Sequence, residues 1–478
     1  MATVMHRAGR WAAFARLLIA LPIIALVTAC VGSNARTAPI PDRDRPAVTA
    51  TLARAPGGQW LLTYEFRRPA PAWLFNRTNP SIDGEAWRAA SWTVVTPGVR
   101  LERRGASDLL VGEGGPLRTV TISVRPYQLP LRADYTPFVP FSDGGAAIYS
   151  GHFALIPVDR LDDAAVQQAV SLDPPPYEVV VRDRGNKLLV NGIVTADAGS
   201  VGEGVAETYI YSGPSPVLEA PAFAAIVDPG LPGWIREELG SFLPRLLELY
   251  RQRMGRPATA RPMVLAAWGG NSTADPSFSG SVRPGLVTLE FAGARLSEPS
   301  EAMRARVRGF LAHETAHFWI GHTIRYESRS DAWITEGGAN LVAIRALQAL
   351  FPEYDHVAAL AREARECLAQ VGAGVPLAEA VLRGGRAPYG CGAMLLAAAE
   401  RDASAARPRV DAFSFIAALI DKHRAEGAVS REEWLTHFEE ATGDPERALL
   451  IRRFIEAGVA DPEAFLTGLS QAVSPGSQ

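Results

Sequence analysis

The stretch from His313 to His322, HETAHFWIGH, constrains this chain more than any other. An H-E-x-x-H sequence has chemical meaning only on a helix, where residues i and i+4 share a face and two imidazoles can reach one ion. The preceding run SEAMRARVRGFLA is rich in helix formers and is interrupted only by Gly309. On such a helix His313 and His317 are metal ligands, Zn²⁺ being the ion this donor pattern suits. Glu314 then stands beside the ion, placed to accept a proton from water. The third protein ligand decides the class of site.

His322 is the nearby choice, and its spacing argues against it. The class with a third histidine needs H-E-x-x-H-x-x-G-x-x-H. Here Gly321 and His322 come four and five residues after His317, so the glycine is one place late and the histidine one place early. The better choice is downstream. The segment 328–347, SRSDAWITEGGANLVAIRAL, reads as a second helix, with Ser328 and Asp331 fitting a capping box. Glu336 lies in it, 19 positions after His317, and a glutamate from an adjoining helix completes a His₂Glu zinc site with one open position. Gly337 and Gly338 weaken a helix by about 1 kcal/mol each, which suggests close backbone packing beside Glu336. Chance could explain the H-E-x-x-H sequence alone, and a surface glutamate could explain Glu336 alone. Neither explains the combination.

The rest of the chain sets the context. Its 478 residues are enough for two or three domains. A net charge of -3, with acidic and basic residues interspersed, excludes a nucleic-acid partner as the expectation. From about 49 to 218, short β-branched runs such as WLLTYEF, RTVTISV and YEVVVRD alternate with turn residues, which implies an antiparallel all-β sandwich. Arg184-Gly185-Asn186 reads as a hairpin link, and His152 as a structural residue. Pro and Gly cluster between 212 and 234, marking a boundary. A domain from 225 to 478 follows, with a few strands and then helices almost to the end.

Residues 1–29 form a separate unit. Arg7, Arg10 and Arg16 precede the apolar run Leu17–Val27, which is too short for a span of roughly 20 residues. The run ends in VTAC. This resembles a bacterial lipoprotein signal, implying lipidation at Cys30, a flexible tether over 30–48, and a soluble part outside the cytoplasm at the cell envelope. Cys367 and Cys391 remain, and in an oxidising compartment they are either a disulfide or two buried thiols.

HETAHFWIGH followed by WITEGGANLVA resembles the gluzincin peptidases of the aminopeptidase N and leukotriene hydrolase family. Their pattern, HExxHxW and then a glutamate within WxxEG, is matched by His313, Glu314, His317, Trp319, Trp333, Glu336 and Gly337. The resemblance implies a thermolysin-like α+β, mainly helical zinc peptidase domain with one Zn²⁺ and a peptide or protein substrate. It further implies an oxyanion-stabilising tyrosine, and APYGCG places Tyr389 there, with Gly392 after it. Asn340, a turn after Glu336, could orient a ligand histidine. One departure stands out. Family exopeptidases bind the substrate's α-amino group through a Gly-x-Met-Glu-Asn strand, whereas this chain reads SFSGSVRPGLVTLEFAG, with Arg283 near the position of that glutamate. Peptide hydrolysis is therefore implied, and aminopeptidase specificity is not. Outside enzymes, the competing reading is a peptide-binding scaffold lipoprotein that no longer catalyses. It leaves the retention of Glu314 unexplained.

Overall fold

The computed structural model describes residues 46–202 and 206–470. Cys30, the signal sequence and most of the tether lie outside the described residues. The β-rich part that follows is built from two sheets. Nine strands between Val48–Arg54 and Tyr209–Gly213 form the larger sheet. Ala72–Phe75, Val99–Arg104, Ser107–Gly112 and Leu155–Val158 form the smaller one. Val48–Arg54 shows why: burial alternates along it, so one face is apolar and must be covered. That face meets the other sheet in a common core, where Leu62, Tyr64 and Ile122 pack with Trp73, Phe75 and Leu110.

Two details differ from the sequence expectation. The larger sheet is not purely antiparallel, since Val48–Arg54 pairs in parallel with Tyr177–Val190. Arg184-Gly185-Asn186 is also not a hairpin turn. Tyr177–Val190 runs straight through it, with a register shift between Arg182 and Lys187 that Gly185 accommodates at φ 84°. The hairpin lies at Asn191-Gly192, whose φ values of 48° and 76° suit the tight turns that match strand twist.

A third sheet stands between the β-rich part and the helices. Its strand order is Val217–Ala220, Phe223–Val227, Met263–Trp268, Leu286–Ala292 and Ser277–Arg283. Period-two alternation splits its side chains. Val264, Leu289 and Phe291 join the helical core, while Met263, Leu265 and Leu286 pack with Tyr149, Tyr209 and Tyr211 from the β-rich part. Ser277–Arg283 is the edge strand, and among the described residues it pairs with no strand but Leu286–Ala292. The helices follow, among them Gly233–Met254, Glu301–Ala316, Trp333–Leu350, His356–Gln370 and Ala387–Ala406. Among the described residues no helix is long and apolar enough to cross a membrane.

Candidate active site

The helix Glu301–Ala316 opens on Ser300, whose side chain accepts a hydrogen bond from the Met303 amide. It is fixed from behind by the helix Gly233–Met254. Glu238, nearly buried there, takes Arg304 and Arg308 at 2.8 to 2.9 Å, and the Tyr250 hydroxyl donates to the Ala312 carbonyl. His313 lies in the last turn, and His317 is the C-terminal cap, still in helical conformation. The helix therefore ends at the site itself.

The second helix starts later than the sequence suggests. Ser328 makes no cap; its hydroxyl meets that of Ser330, and a short 3₁₀ turn, Arg329–Asp331, precedes the helix proper at Trp333. The reason is that Asp331 is committed elsewhere, to Arg431 at 2.6 and 2.9 Å, a charge-assisted pair that outcompetes a capping bond. Glu336 falls in the first turn of this helix.

Three donor atoms converge. The Nε2 atoms of His313 and His317 are 3.2 Å apart, and Glu336 Oε2 is 3.4 and 3.5 Å from them. Ligands 2.0–2.1 Å from a tetrahedral zinc lie about 3.3 Å from one another, so this triangle fits the ion without rearrangement. The Nδ1 atom of His317 is 2.8 Å from the Ile320 carbonyl, which turns its Nε2 inward. Burial disfavours charge on His317, yet Glu336 outweighs it and raises the imidazole to about 9. Against the same burial, the two histidines hold Glu336 well below the usual carboxylate range. The donors thus favour positive charge at their centre.

Glu314 faces the edge strand. Burial raises its pKa, with the neighbouring histidines partly offsetting the effect. Gly280 packs against it so closely that a Cβ there would lie 2.3 Å from the Glu314 carboxyl carbon. Tyr389, in the first turn of Ala387–Ala406, lies beside His313. Its ring is 5.6 Å from that of His313 and carries the Arg386 guanidinium at 4.3 Å. Burial, followed by the Glu336 carboxylate, pushes the phenol up to about 12, so it remains a proton donor at neutral pH.

The glycines of the two motifs account for the approach of these helices. A Cβ on Gly337 would lie 2.2 Å from the Gly392 backbone, and one on Gly392 would lie 2.1 Å from the Trp333 carbonyl oxygen. The helices bearing Glu336 and Tyr389 therefore cross backbone to backbone. Nearby, a Cys367–Cys391 disulfide ties Ala387–Ala406 to His356–Gln370, settling the alternative that the sequence left open.

Other expectations are placed or corrected. His322 is outside the donor cluster, with Nδ1 buried and unpartnered. Its pKa is pushed down to about 3 by burial, with His317 and Arg283 adding to the effect. Asn340 does not touch a ligand histidine; it donates to Glu363 Oε2 at 2.8 Å, because its side chain points at the helix His356–Gln370. Arg283 turns toward the β-rich part, where it meets the Glu207 carbonyl at 3.2 Å and the Tyr135 hydroxyl at 3.3 Å. His152 is buried, and its Nε2 is 2.7 Å from the Tyr135 carbonyl. Gly280 was missed from sequence. The glycine inside an apparent strand was the available signal, since such a residue marks a close approach.

Comparison with known proteins gives the same picture. Residues 285–373 match the peptidase family M1 domain, a span that includes all three metal donors and Glu314. Aminopeptidase M1-B of Oryza sativa subsp. japonica is 35% identical over 74 residues, 15% of this chain and 8% of that protein. The match thus spans less than a tenth of that relative. An aminopeptidase N family protein from Idiomarina loihiensis superposes with a TM-score of 0.60 at 10% identity, covering 88% of this chain and 78% of that one. An M1 zinc metallopeptidase from Deinococcus radiodurans gives 0.49 at 17% identity, covering 90% and 95%. The first structural likeness establishes a shared fold, a β-rich domain followed by a mainly helical one. The family match and the donor set agree with the hydrolase class and the Zn²⁺ ion expected from the sequence.

Proposed function

We propose that this chain, whose residues 285–373 match the peptidase family M1 domain, is a zinc-dependent peptidase that hydrolyses peptide bonds at the bacterial cell envelope. The observation that carries the reading is the convergence of His313, His317 and Glu336, with Glu314 and Tyr389 close by. Bound there, Zn²⁺ would supply a Lewis acid that makes water acidic and polarises a carbonyl. Glu314, held under Gly280 and with its pKa raised by burial, accepts the proton of the attacking water and passes it to the leaving amine. The Tyr389 hydroxyl donates a hydrogen bond to the oxygen that gains charge. The free edge of Ser277–Arg283 aligns an extended peptide by strand addition, which sets the scissile bond beside Glu314.

Exopeptidase specificity is not part of this reading, since SGSVR replaces the amino-group motif. Attachment to a membrane through lipidated Cys30 rests on the first thirty residues alone. A non-catalytic scaffold would account for the peptide-binding edge and leave Glu314 and Tyr389 without a role. The test is Glu314→Gln. It should retain about one zinc per chain by elemental analysis and lose cleavage of a peptide library. Turnover by the variant would refute the base, and a folded wild-type protein that binds no zinc would refute the site.

A further inference from the structure

Behind the edge strand, on the face away from Glu314, lies a cavity of about 430 Å³ between the third sheet and the β-rich part. The strand register decides what faces it. Ser279 pairs with Glu290 and Ser281 with Thr288, so these four side chains share one face, while Gly280 presents the other to Glu314. Tyr135 and Tyr209 line the cavity across from them. Among the described residues, Glu290 has neither a hydrogen-bond partner nor an ion pair, and burial alone raises its pKa. Asp134 also lines the cavity. Its side chain is 1% exposed, with one oxygen on Arg77 and the other, Oδ2, buried without a partner. The nearby arginines are engaged: Arg283 with Glu207 and Tyr135, and Arg77 with Glu207 and Asp134.

We propose that this cavity is a specificity pocket for a long basic side chain of the peptide substrate, with Glu290 as its recognition residue. The inference rests on the peptidase reading for the path of the substrate. A peptide added along Ser277–Arg283 points alternate side chains to the two faces of the sheet, and the one beside Ser279 and Ser281 on the cavity's face enters it. Glu290 is on the next strand in, so its backbone is two strand spacings, roughly 10 Å, from that of the peptide. A glutamate and a lysine or arginine together close such a gap; a shorter basic residue does not. Cation binding suits the walls. A half-buried carboxylate without a partner is stabilised by a cation, and the tyrosine rings and serine hydroxyls accommodate an ammonium or guanidinium group. An acidic side chain would meet only like charge. A metal ion is a poor alternative, because among the described residues only His313, His317 and Glu336 form a cluster with ligand spacing.

The test is a matched peptide series, with lysine, arginine, norleucine, glutamate or the short diaminobutyric acid at each position flanking the cleaved bond. At one position lysine and arginine should exceed norleucine in kcat/KM by about tenfold or more, the worth of one charge-assisted hydrogen bond. Diaminobutyric acid should not. In Glu290→Gln the lysine-to-norleucine ratio should fall toward one, and in Glu290→Lys the preference should pass to glutamate. A wild-type protein that cleaves the series with no basic preference, or a Glu290→Gln variant that keeps it, overturns the pocket. Calorimetric binding of the lysine and norleucine peptides to Glu314→Gln separates the two readings. A lysine preference there, with no cleavage by the wild type, would uphold the pocket and refute the peptidase.

Discussion

Gly280→Ala isolates the placement of Glu314 from everything else in the site. The added Cβ would sit 2.3 Å from the Glu314 carboxyl carbon and 2.5 Å from both oxygens, whereas ordinary contact begins at 3.4 Å. The carboxyl group must retreat by roughly 1 Å. It is the free end of a flexible side chain, so it can do so without moving a backbone. The expected result is therefore a catalytic loss with little change in stability. A misplacement of that size costs on the order of 10²-fold in rate, about 2.7 kcal/mol of barrier. Gly280 does not have positive φ, so alanine fits its backbone and gains about 0.4–1 kcal/mol through the unfolded state. No metal donor moves, so zinc content stays the same. The assay pairs steady-state cleavage of one peptide with denaturant unfolding and metal analysis. Gly309→Ala, in the same helix as Glu314 and with open space around its Cβ, is the control that should leave turnover intact. Wild-type kcat in Gly280→Ala would refute the contact between the edge strand and the proposed base. A collapse in stability would show instead that the edge strand itself cannot accept a side chain.

Two further predictions concern other parts of the fold. Replacing Cys367 and Cys391 together by alanine should lower stability by about 3.5 kcal/mol, the loop-closure value for their sequence separation of 24, read as a shift in the urea midpoint under oxidising conditions; an unchanged midpoint would refute the bridge. Glu290 gives a pH signature. Burial raises its pKa above the unfolded value, so its contribution to stability is fully present below that value and is lost as pH rises through the folded pKa. Glu290→Gln should flatten the fall, leaving the variant more stable than wild type above that window, and Tm curves from about pH 4 to 8 that run parallel would contradict it.

The three candidate metal donors were legible in the sequence because each sits in a short local motif. His313 and His317 share a helix face at any four-residue spacing, and the second motif brings its own glutamate on an adjoining helix. The glycines beside Glu336 and after Tyr389 also carried a readable signal, which the crossing at Gly337 and Gly392 explains. The errors fell where a residue's partner lay far along the chain. Ser328 and Asp331 had the spacing of a capping box, but Arg431, 100 residues away, takes the aspartate. Asn340 had the spacing to reach a ligand histidine, but Glu363 on another helix receives it. Arg283 read only as the residue near the position of the amino-group glutamate, and its partners Glu207 and Tyr135 were not foreseen.

What the sequence alone determined is the pairing of His313 and His317, since side-chain type and helical period suffice for it, whereas Glu336 reaches them only because two helices cross. Tertiary structure decided what surrounds those donors. The register of Ser277–Arg283 on Leu286–Ala292 presses Gly280 onto Glu314 and leaves Glu290 alone in a cavity on the opposite face. A one-residue slip of that pairing would exchange the two faces, and no local pattern in SFSGSVRPGLVTLEF specifies which register holds. That choice depends on burying Val287, Leu289 and Phe291 against the helices and Leu286 against the β-rich part, a balance that exists only once all three layers are packed.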